Sequence, residues 1–507
     1  MGCTTSSLAT DASTKQGRYH ANTRQRLSWS RSGDARKTYE IDTIIREGSI
    51  SNIYQVHKKQ RTAGSAKKSG CNEPFTYHPS SAKELAKLVE YYAFKEIDLN
   101  LVEPGRQDEM TNEVNLLHSI DHPNIIQAFD VYKDRHNYLA MILELCQGGD
   151  LHSRAPYTNF QAARIIRQII DAVHYLHTHN VVHCDLSMEN VMFESSSPTD
   201  WNVKMIDFGL AVKYLPTNSA MQGRGRTAIT MAPEVLPGKY TSQADMWSVG
   251  VITYQLLSGD APIDGNDARG SARRAYMSGL NDFSDPTWKR ASAEATNFCE
   301  HLLNVDPDLR YTAKQALRHP WMPRPNGKAN KRDLLRAISS MESFSKNTDF
   351  RKLALNIMAY KATADEIVKL RKVFGYVDTG EDGYITYGEF HKALEATGQY
   401  PPEQIRRLFQ SLDVDESRTI EYTEFLAATT NIPINDLDLA EVFKRFDADD
   451  TGYISKDNLR SILGSDTSDE YIDKLLHEVD LNNDGKVSYS EFRQAFADKM
   501  EVGVVQQ

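Results

Sequence analysis

The chain has 507 residues, 40% of them hydrophobic and 25% charged, which excludes a wholly disordered or collagen-like protein and leaves length for more than one buried core. Five cysteines scattered without a CxxC pair exclude a disulfide framework or a structural zinc site and suit a reducing, intracellular compartment. The net charge of −10 is unevenly placed: residues 371–507 hold 28 acidic against 14 basic residues, while the preceding 370 hold 41 against 45. A tail so acidic suits cations, and with no concentrated basic stripe elsewhere no nucleic-acid partner is expected.

Residues 1–38 are rich in Ser, Thr and Arg and lack apolar periodicity, so a disordered arm is expected there. From residue 39 to 321, apolar runs alternate with helical patterns, as one large mixed α+β domain requires. A polar insert near residues 57–88, with runs such as GSAKKSG, reads as a surface excursion. Within the domain, Tyr92-Ala93-Phe94-Lys95 is an apolar strand carrying one lysine, and Glu113 follows on a helical segment 18 residues later. Val182-His-Cys-Asp185-Leu-Ser-Met-Glu-Asn190 sets an acid and an amide five residues apart, and Ile206-Asp207-Phe-Gly209 lies 17 residues beyond Asn190. Ala232-Pro-Glu234, Asp245-Met-Trp-Ser-Val-Gly250 and Asp306-Pro-Asp-Leu-Arg310 complete the series.

Each of these motifs alone is weak. In this order and at these intervals, the sequence resembles a eukaryotic protein kinase over residues 39–321. The resemblance implies a bilobal fold that uses ATP and Mg²⁺, with Lys95 on the α and β phosphates and paired with Glu113. Asp207 and Asn190 would hold magnesium, and Asp185 would accept the proton of the substrate hydroxyl. Ile45, Gly48, Ser49 and Ile53 would cover the phosphates. Ala93, Glu144 and Cys146 would seat adenine behind the gatekeeper Leu143, and Asp150 would meet the ribose. Departures stand beside the matches. Only Gly48 remains of three glycines, with Arg46 and Ser51 at the other two positions. Cys184 replaces an Arg, Ser187 a Lys, and Arg226 and Thr230 stand where Gly and Tyr are usual, though Thr227 is kept. An inactive scaffold is the alternative these departures favour, and a calcium sensor with a docking kinase half is another. The intact proton-transfer, magnesium and Lys–Glu positions favour an enzyme.

Residues 322–366 carry two apolar stripes, Leu334, Ile338, Met341 and Phe350, Leu353, Ile357, set among Lys331, Arg332, Arg336, Lys346, Arg351 and Lys352. A basic amphipathic segment of this kind suits a calmodulin-like groove. Beyond it, acidic loops open at Asp378, Asp413, Asp447 and Asp480, spaced by 35, 34 and 33 residues. Calcium coordination needs side-chain oxygens at loop positions 1, 3, 5, 9 and 12, a backbone carbonyl at 7 and a sharp turn at 6. Loop 4 supplies all of these: Asp480, Asn482, Asp484, Lys486, Ser488 and Glu491 around Gly485. Loop 1 has Asp378, Asp382, Tyr384, Thr386 and Glu389 but Gly380 at position 3. Loop 2 has Asp413, Asp415, Ser417, Thr419, Glu421 and Glu424 but Arg418 at the turn, where a left-handed residue with a Cβ costs roughly 1–2 kcal/mol. Loop 3 has Asp447, Asp449, Thr451, Tyr453 and Ser455 and ends in Asn458, so it should bind most weakly, with loops 4 and 1 dominant.

Four loops in two pairs resemble a calmodulin-like EF-hand domain, assigned here to residues 367–502, with Leu370, Val373, Phe374, Phe443 and Phe446 as its apolar faces. The whole order resembles the calcium-dependent protein kinases of plants and protists: a bilobal kinase fold, a junction, then an all-α four-EF-hand domain. That family implies transfer to Ser/Thr near basic residues, with Glu189 and Asp150 meeting them, and an EF-hand contact that releases the inhibitory junction. The opening Met-Gly2-Cys3-Thr-Thr-Ser6 matches a myristoylation pattern, with Cys3 open to palmitoylation, so a cytoplasmic protein with peripheral membrane association is expected.

Overall fold

The computed structural model describes residues 30–48, 50–59, 91–102, 107–214, 229–235, 241–262, 283, 288, 291–323, 331–359, 364–415, 417–430, 434, 436–449, 451–464 and 467–497. Gly2, Cys3, Ser49, Arg226, Thr227 and most of the polar insert lie outside them.

The β-branched and aromatic runs near the start form a six-stranded sheet ordered β1 (Ser30–Ser32), β5 (Ala128–Lys133), β6 (Tyr138–Glu144), β4 (Tyr91–Asp98), β3 (Ser51–Lys58) and β2 (Tyr39–Glu47). β1 runs parallel to β5, and every other neighbouring pair is antiparallel. The arm expected over residues 1–38 therefore needs correcting at its end. Ser30–Ser32 extends the sheet edge, Ala35 is buried, and Arg36 pairs with Glu96 at 2.8 Å. Apolar burial and an ion pair, which the arm's polar composition hid, order these residues.

Helix α1 (Gln107–Ser119) follows the sheet and sends Val114, Leu116 and Leu117 into the main core. The second lobe is built around α2 (Asn159–Thr178), which opens on a reciprocal capping box between Thr158 and Gln161 and is buried along most of its length. Short ladders β7 (Val181–Val182) with β10 (Val212–Lys213), and β8 (Val191–Phe193) with β9 (Val203–Met205), lie between the lobes. Helices α3 (Gln243–Ser258), α4 (Ala293–Leu302) and α5 (Ala313–Leu317) complete it. α3 is apolar almost all round and buried from Ala244 to Thr253, and it stops at Gly259, whose φ of 88° only glycine adopts without strain.

The remaining chain is helical: α6 (Lys331–Ser345), α7 (Asp349–Met358), α8 (Ala364–Val377), α9 (Tyr387–Glu395), α10 (Pro402–Leu412), α11 (Tyr422–Thr429), α12 (Asp436–Phe446), α13 (Lys456–Leu463), α14 (Asp469–His477) and α15 (Tyr489–Gln494). Two two-stranded ladders join the acidic loops in pairs, β11 (Tyr384–Thr386) with β12 (Thr419–Glu421) and β13 (Tyr453–Ile454) with β14 (Val487–Ser488). Both apolar stripes of the junction, on α6 and α7, are buried in one continuous core with the EF-hand helices. The basic residues divide: Arg332, Arg336 and Lys346 are exposed, while Arg351 and Lys352 are buried. Arg351 donates to the Ala495 carbonyl at 3.2 Å and lies over the Phe496 ring.

The EF-hand half packs against the kinase-like half. Glu381 of loop 1 pairs with Arg167 on α2, the Thr423 N–H donates to Asp121 at 2.8 Å, and Glu441 on α12 pairs with Lys58 on β3. Gly383, at φ 82°, is doubly required. A Cβ there would sit 2.5 Å from the Tyr175 ring and 2.9 Å from His122.

Candidate active site and calcium sites

The strand register places Lys95 on β4 opposite Ile53 and Met141, so its side chain projects into the cleft between the lobes. There Lys95 Nζ donates to Glu113 Oε1 at 2.7 Å and to Asp207 Oδ1 at 3.1 Å. Three residues separated by up to 112 positions thus meet at one ammonium. Burial opposes the charge on Lys95, but the two carboxylates outweigh it and hold the amine protonated above its ordinary range. Burial likewise pushes Asp207 up, and Lys95 more than reverses this, keeping its carboxyl below the usual range.

Asp185 and Asn190 sit on the loop between β7 and β8. Asn190 Nδ2 donates to the Asp185 carbonyl at 2.8 Å and to Asp185 Oδ2 at 3.2 Å, while its own carbonyl accepts from the Ile206 N–H at 2.9 Å. This ties the acid–amide loop to the strand leading into Asp207. Among the described residues, Asp207 Oδ2 and Asn190 Oδ1 accept no hydrogen bond, so two oxygens remain for a cation. Close packing supports that fit: a Cβ on Gly209 would come within 3.3 Å of Asp207 Oδ1.

Sequence reasoning missed what holds this loop. Asp245, in the first turn of the enclosed helix α3, accepts from the His183 N–H at 2.9 Å, the Cys184 N–H at 3.0 Å and His177 Nε2 at 3.0 Å. The signal was legible: a lone acid inside an otherwise apolar helix needs donors. Cys184 is buried and Ser187 is buried at the start of the 3₁₀ turn Met188–Asn190, so both departures face the protein interior.

Ala93 stands opposite Leu143, the proposed gatekeeper, where β4 meets β6. Beyond Glu144 the chain is tied to β8, with Gln147 N–H donating to Glu194 O and Gly148 N–H to Phe193 O. Among the described residues no main-chain partner engages the Cys146 N–H, which leaves a donor for a planar base. Burial raises the Cys146 thiol well above its ordinary value, so it lines the site as a neutral group. Gly48 is needed because a Cβ would lie 2.7 Å from the Ser51 carbonyl, and Ile45 above it is exposed. Asp150 is less available than expected, since its carboxylate caps the 3₁₀ turn Leu151–Arg154 through the Ser153 N–H.

The four acidic loops share one geometry. In each, the N–H at position 6 donates to the carboxylate at position 1: Gly383 to Asp378 at 3.0 Å, Arg418 to Asp413 at 3.0 Å, Gly452 to Asp447 at 2.8 Å, and Gly485 to Asp480 at 2.8 Å. Arg418 adopts φ 71° to do this, so loop 2 keeps the turn despite its Cβ. Position 8 is fully buried in all four, as Ile385, Ile420, Ile454 and Val487. Positions 9 and 12 form a capping box in all four, Thr386 with Glu389, Glu421 with Glu424, Ser455 with Asn458 and Ser488 with Glu491.

Carboxylates converge within 4.8 Å of one another in loop 1 (Asp378, Asp382, Glu389) and loop 2 (Asp413, Asp415, Glu424). Burial and mutual repulsion push Asp378 up to about 8, Asp382 to about 6 and Asp413 to about 7, and Asp382 Oδ1 is buried without a hydrogen bond. Such a cluster lacks positive charge, which a divalent cation supplies. In loop 3 the Asn458 amide donates to Asp449 Oδ1 at 3.2 Å, so an internal donor occupies a ligand oxygen. In loop 4, Asn482 similarly donates to Asp484 at 3.2 Å.

A protein kinase domain model matches residues 82–322, and an EF-hand domain pair model matches residues 367–430 and again 436–497. The first match begins within the polar insert, although β2 and β3 before it belong to the same sheet. Calcium-dependent protein kinase 17 of Arabidopsis thaliana is 34% identical over 83% of this chain and 79% of its own length. Calcium-dependent protein kinase 34 of the same plant is 35% identical over 76% and 75%, and calcium-dependent protein kinase 7 of Oryza sativa subsp. japonica is 34% identical over 76% and 72%. The chain belongs to the calcium-dependent protein kinase family. It is a calcium-regulated serine/threonine protein kinase that uses ATP and Mg²⁺ and binds Ca²⁺ through EF-hands; the scaffold and sensor readings gain no support from these relatives. Among the described residues no helix is long and apolar enough to cross a membrane.

Proposed function

We propose that Lys95, fixed by Glu113, holds the α and β phosphates of ATP, that Asp207 and Asn190 hold Mg²⁺, and that Asp185 orients the acceptor hydroxyl and takes its proton. Magnesium, when bound, neutralises charge on the phosphates. Ile45, Gly48, Ser49 and Ile53 cover them, Ala93, Glu144 and Cys146 seat adenine, and Asp150 meets the ribose. The observation that carries this reading is the meeting of Lys95 with Glu113 and Asp207 at 2.7 and 3.1 Å. The kinase unit spans residues 39–321, joined at its start by residues 30–38. A junction over 322–366 and a calcium unit over 367–502 follow.

Glu189 is half-exposed and pairs with His152 at 3.1 Å, which leaves a carboxylate at the cleft rim for a basic residue of the substrate. Substrates with basic residues near the acceptor Ser or Thr follow from that placement. Acylation of Gly2 and Cys3 would tether the protein to a membrane surface. The test is phosphate transfer from ATP to a Ser-containing basic peptide and to its acidic counterpart, with and without calcium. Calcium-dependent transfer favouring the basic peptide is expected, and equal rates on both peptides would remove the role given to Glu189.

Within the calcium unit, Glu424→Gln and Glu389→Gln should each raise the calcium needed for half-maximal activity by roughly tenfold, since each removes a charge from a converged trio. Asn458→Ala should shift it little. Activity against free calcium measures all three, and a larger shift from Asn458→Ala than from Glu424→Gln would overturn this order.

A further inference from the structure

Four charged side chains form a chain from the first EF-hand helix to the hinge. Arg371 on α8 is largely buried, with 15% of its side chain exposed, and donates from Nη2 to Glu194 Oε1 at 2.7 Å, a partner 177 residues away. Glu194, directly after β8, lies 3.7 Å from Lys204 Nζ, and Lys204 on β9 lies 2.9 Å from Glu144 Oε2. Glu144 is the last residue of β6, and the Glu194 carbonyl accepts from the Gln147 N–H at 3.1 Å. The chain therefore meets the segment Glu144–Gln147 twice, at the Glu144 side chain and through the Glu194 carbonyl.

The charge count gives this geometry a direction. The kinase half contributes Glu144, Glu194 and one cation, Lys204, to a largely buried patch. Alone it carries one surplus negative charge. Arg371 arrives with the EF-hand half and neutralises it; burial pushes Glu194 up, but Arg371 and Lys204 together hold its carboxyl below the ordinary range. With Arg371 engaged on Glu194, Lys204 is left to Glu144. Without it, Lys204 is, among the described residues, the one cation both carboxylates share, and the Glu144 side chain loses part of its anchor.

We propose that Arg371 is a positioning residue for the adenine hinge, so that docking of the EF-hand half tightens ATP binding through Glu194, Lys204 and Glu144. The proposal rests on the reading of Glu144–Cys146 as the adenine segment. Reciprocity then requires that nucleotide strengthen docking, and with it the response to calcium.

The test uses the full chain, with kinetic constants read at saturating calcium and activation read over a calcium titration. Arg371→Met should raise the KM for ATP roughly fivefold or more while kcat and the peptide KM stay within about twofold. In the parent, raising ATP should lower the calcium needed for half-maximal activity, and in Arg371→Met that dependence should vanish. Arg371→Lys keeps the charge and should recover most of the ATP affinity. Arg371→Met with Glu194→Gln removes the surplus charge and guards against misfolding; it too should lose the nucleotide dependence of calcium activation. A fall in kcat with an unchanged KM for ATP would show a docking anchor and overturn the proposal, as would an unchanged nucleotide dependence. Ala93→Phe, read by ADP calorimetry, tests the hinge separately, because it should abolish ADP binding whether or not Arg371 matters. If ADP binds Ala93→Phe normally, the hinge assignment itself is wrong.

Discussion

Asp185→Asn should lower phosphate transfer by about 10²- to 10⁴-fold, the range for loss of a positioned general base. The substitution keeps the shape of the side chain and its acceptor oxygen toward Asn190 Nδ2, now 3.2 Å away. The Asn190 bond to the Asp185 carbonyl, at 2.8 Å, does not involve the side chain at all. His183 and Cys184 stay pinned by Asp245, so the loop should hold its path. Nucleotide affinity and the calcium response should therefore match the parent while turnover collapses. Steady-state kinetics with a basic peptide, beside ADP calorimetry, separates these effects. Parent-like turnover in Asp185→Asn would mean that another group takes the proton.

Arg310→Met should destabilise the kinase unit by about 3–5 kcal/mol, because it leaves a buried carboxylate without its partner. Arg310 is fully buried and donates to both oxygens of Glu234, at 2.6 and 3.0 Å. It also donates to the Gln243 carbonyl at 2.6 Å and the Asn304 carbonyl at 2.9 Å, and it lies over the Trp247 ring at 5.1 Å. One side chain thereby joins the segment before α3, α3 itself and the turn after α4. For a unit of this size the loss corresponds to a fall in Tm on the order of 10 °C, readable by scanning calorimetry. Arg310→Met with Glu234→Met should recover part of it, since an apolar pair leaves no orphaned charge. A Tm within about 2 °C of the parent would mean that the pair contributes no net stability.

The order of motifs from Lys95 to Arg310 made the kinase fold readable, because phosphate transfer constrains residue type at positions the chain order preserves. The calcium loops were readable for the same reason: position 1, position 6 and position 12 each answer to one ion. Arg418 shows where that reading stops. Its sequence cost was clear, yet only the geometry shows Arg418 in the left-handed turn with its N–H on Asp413 at 3.0 Å. Ser30–Ser32 was illegible because three polar residues carry no strand signal of their own and are held by a neighbouring strand. The contact of Arg371 with Glu194 was equally hidden. An ion pair between residues 177 positions apart depends on how two finished units meet, and no local pattern encodes it.

The single core shared by α6, α7 and the EF-hand helices sets where the protein can be divided. A calcium module excised at the start of α8 would expose the surfaces that cover Ile338, Met341, Phe350 and Ile357, all of them nearly inaccessible in the intact chain. Those surfaces would be sticky, and the fragment would seek a replacement helix from any chain nearby. The transferable unit is therefore cut ahead of Lys331, taking both junction helices with it. A kinase engineered to borrow this calcium response would need that longer graft, with its seam in the stretch between Trp321 and Lys331.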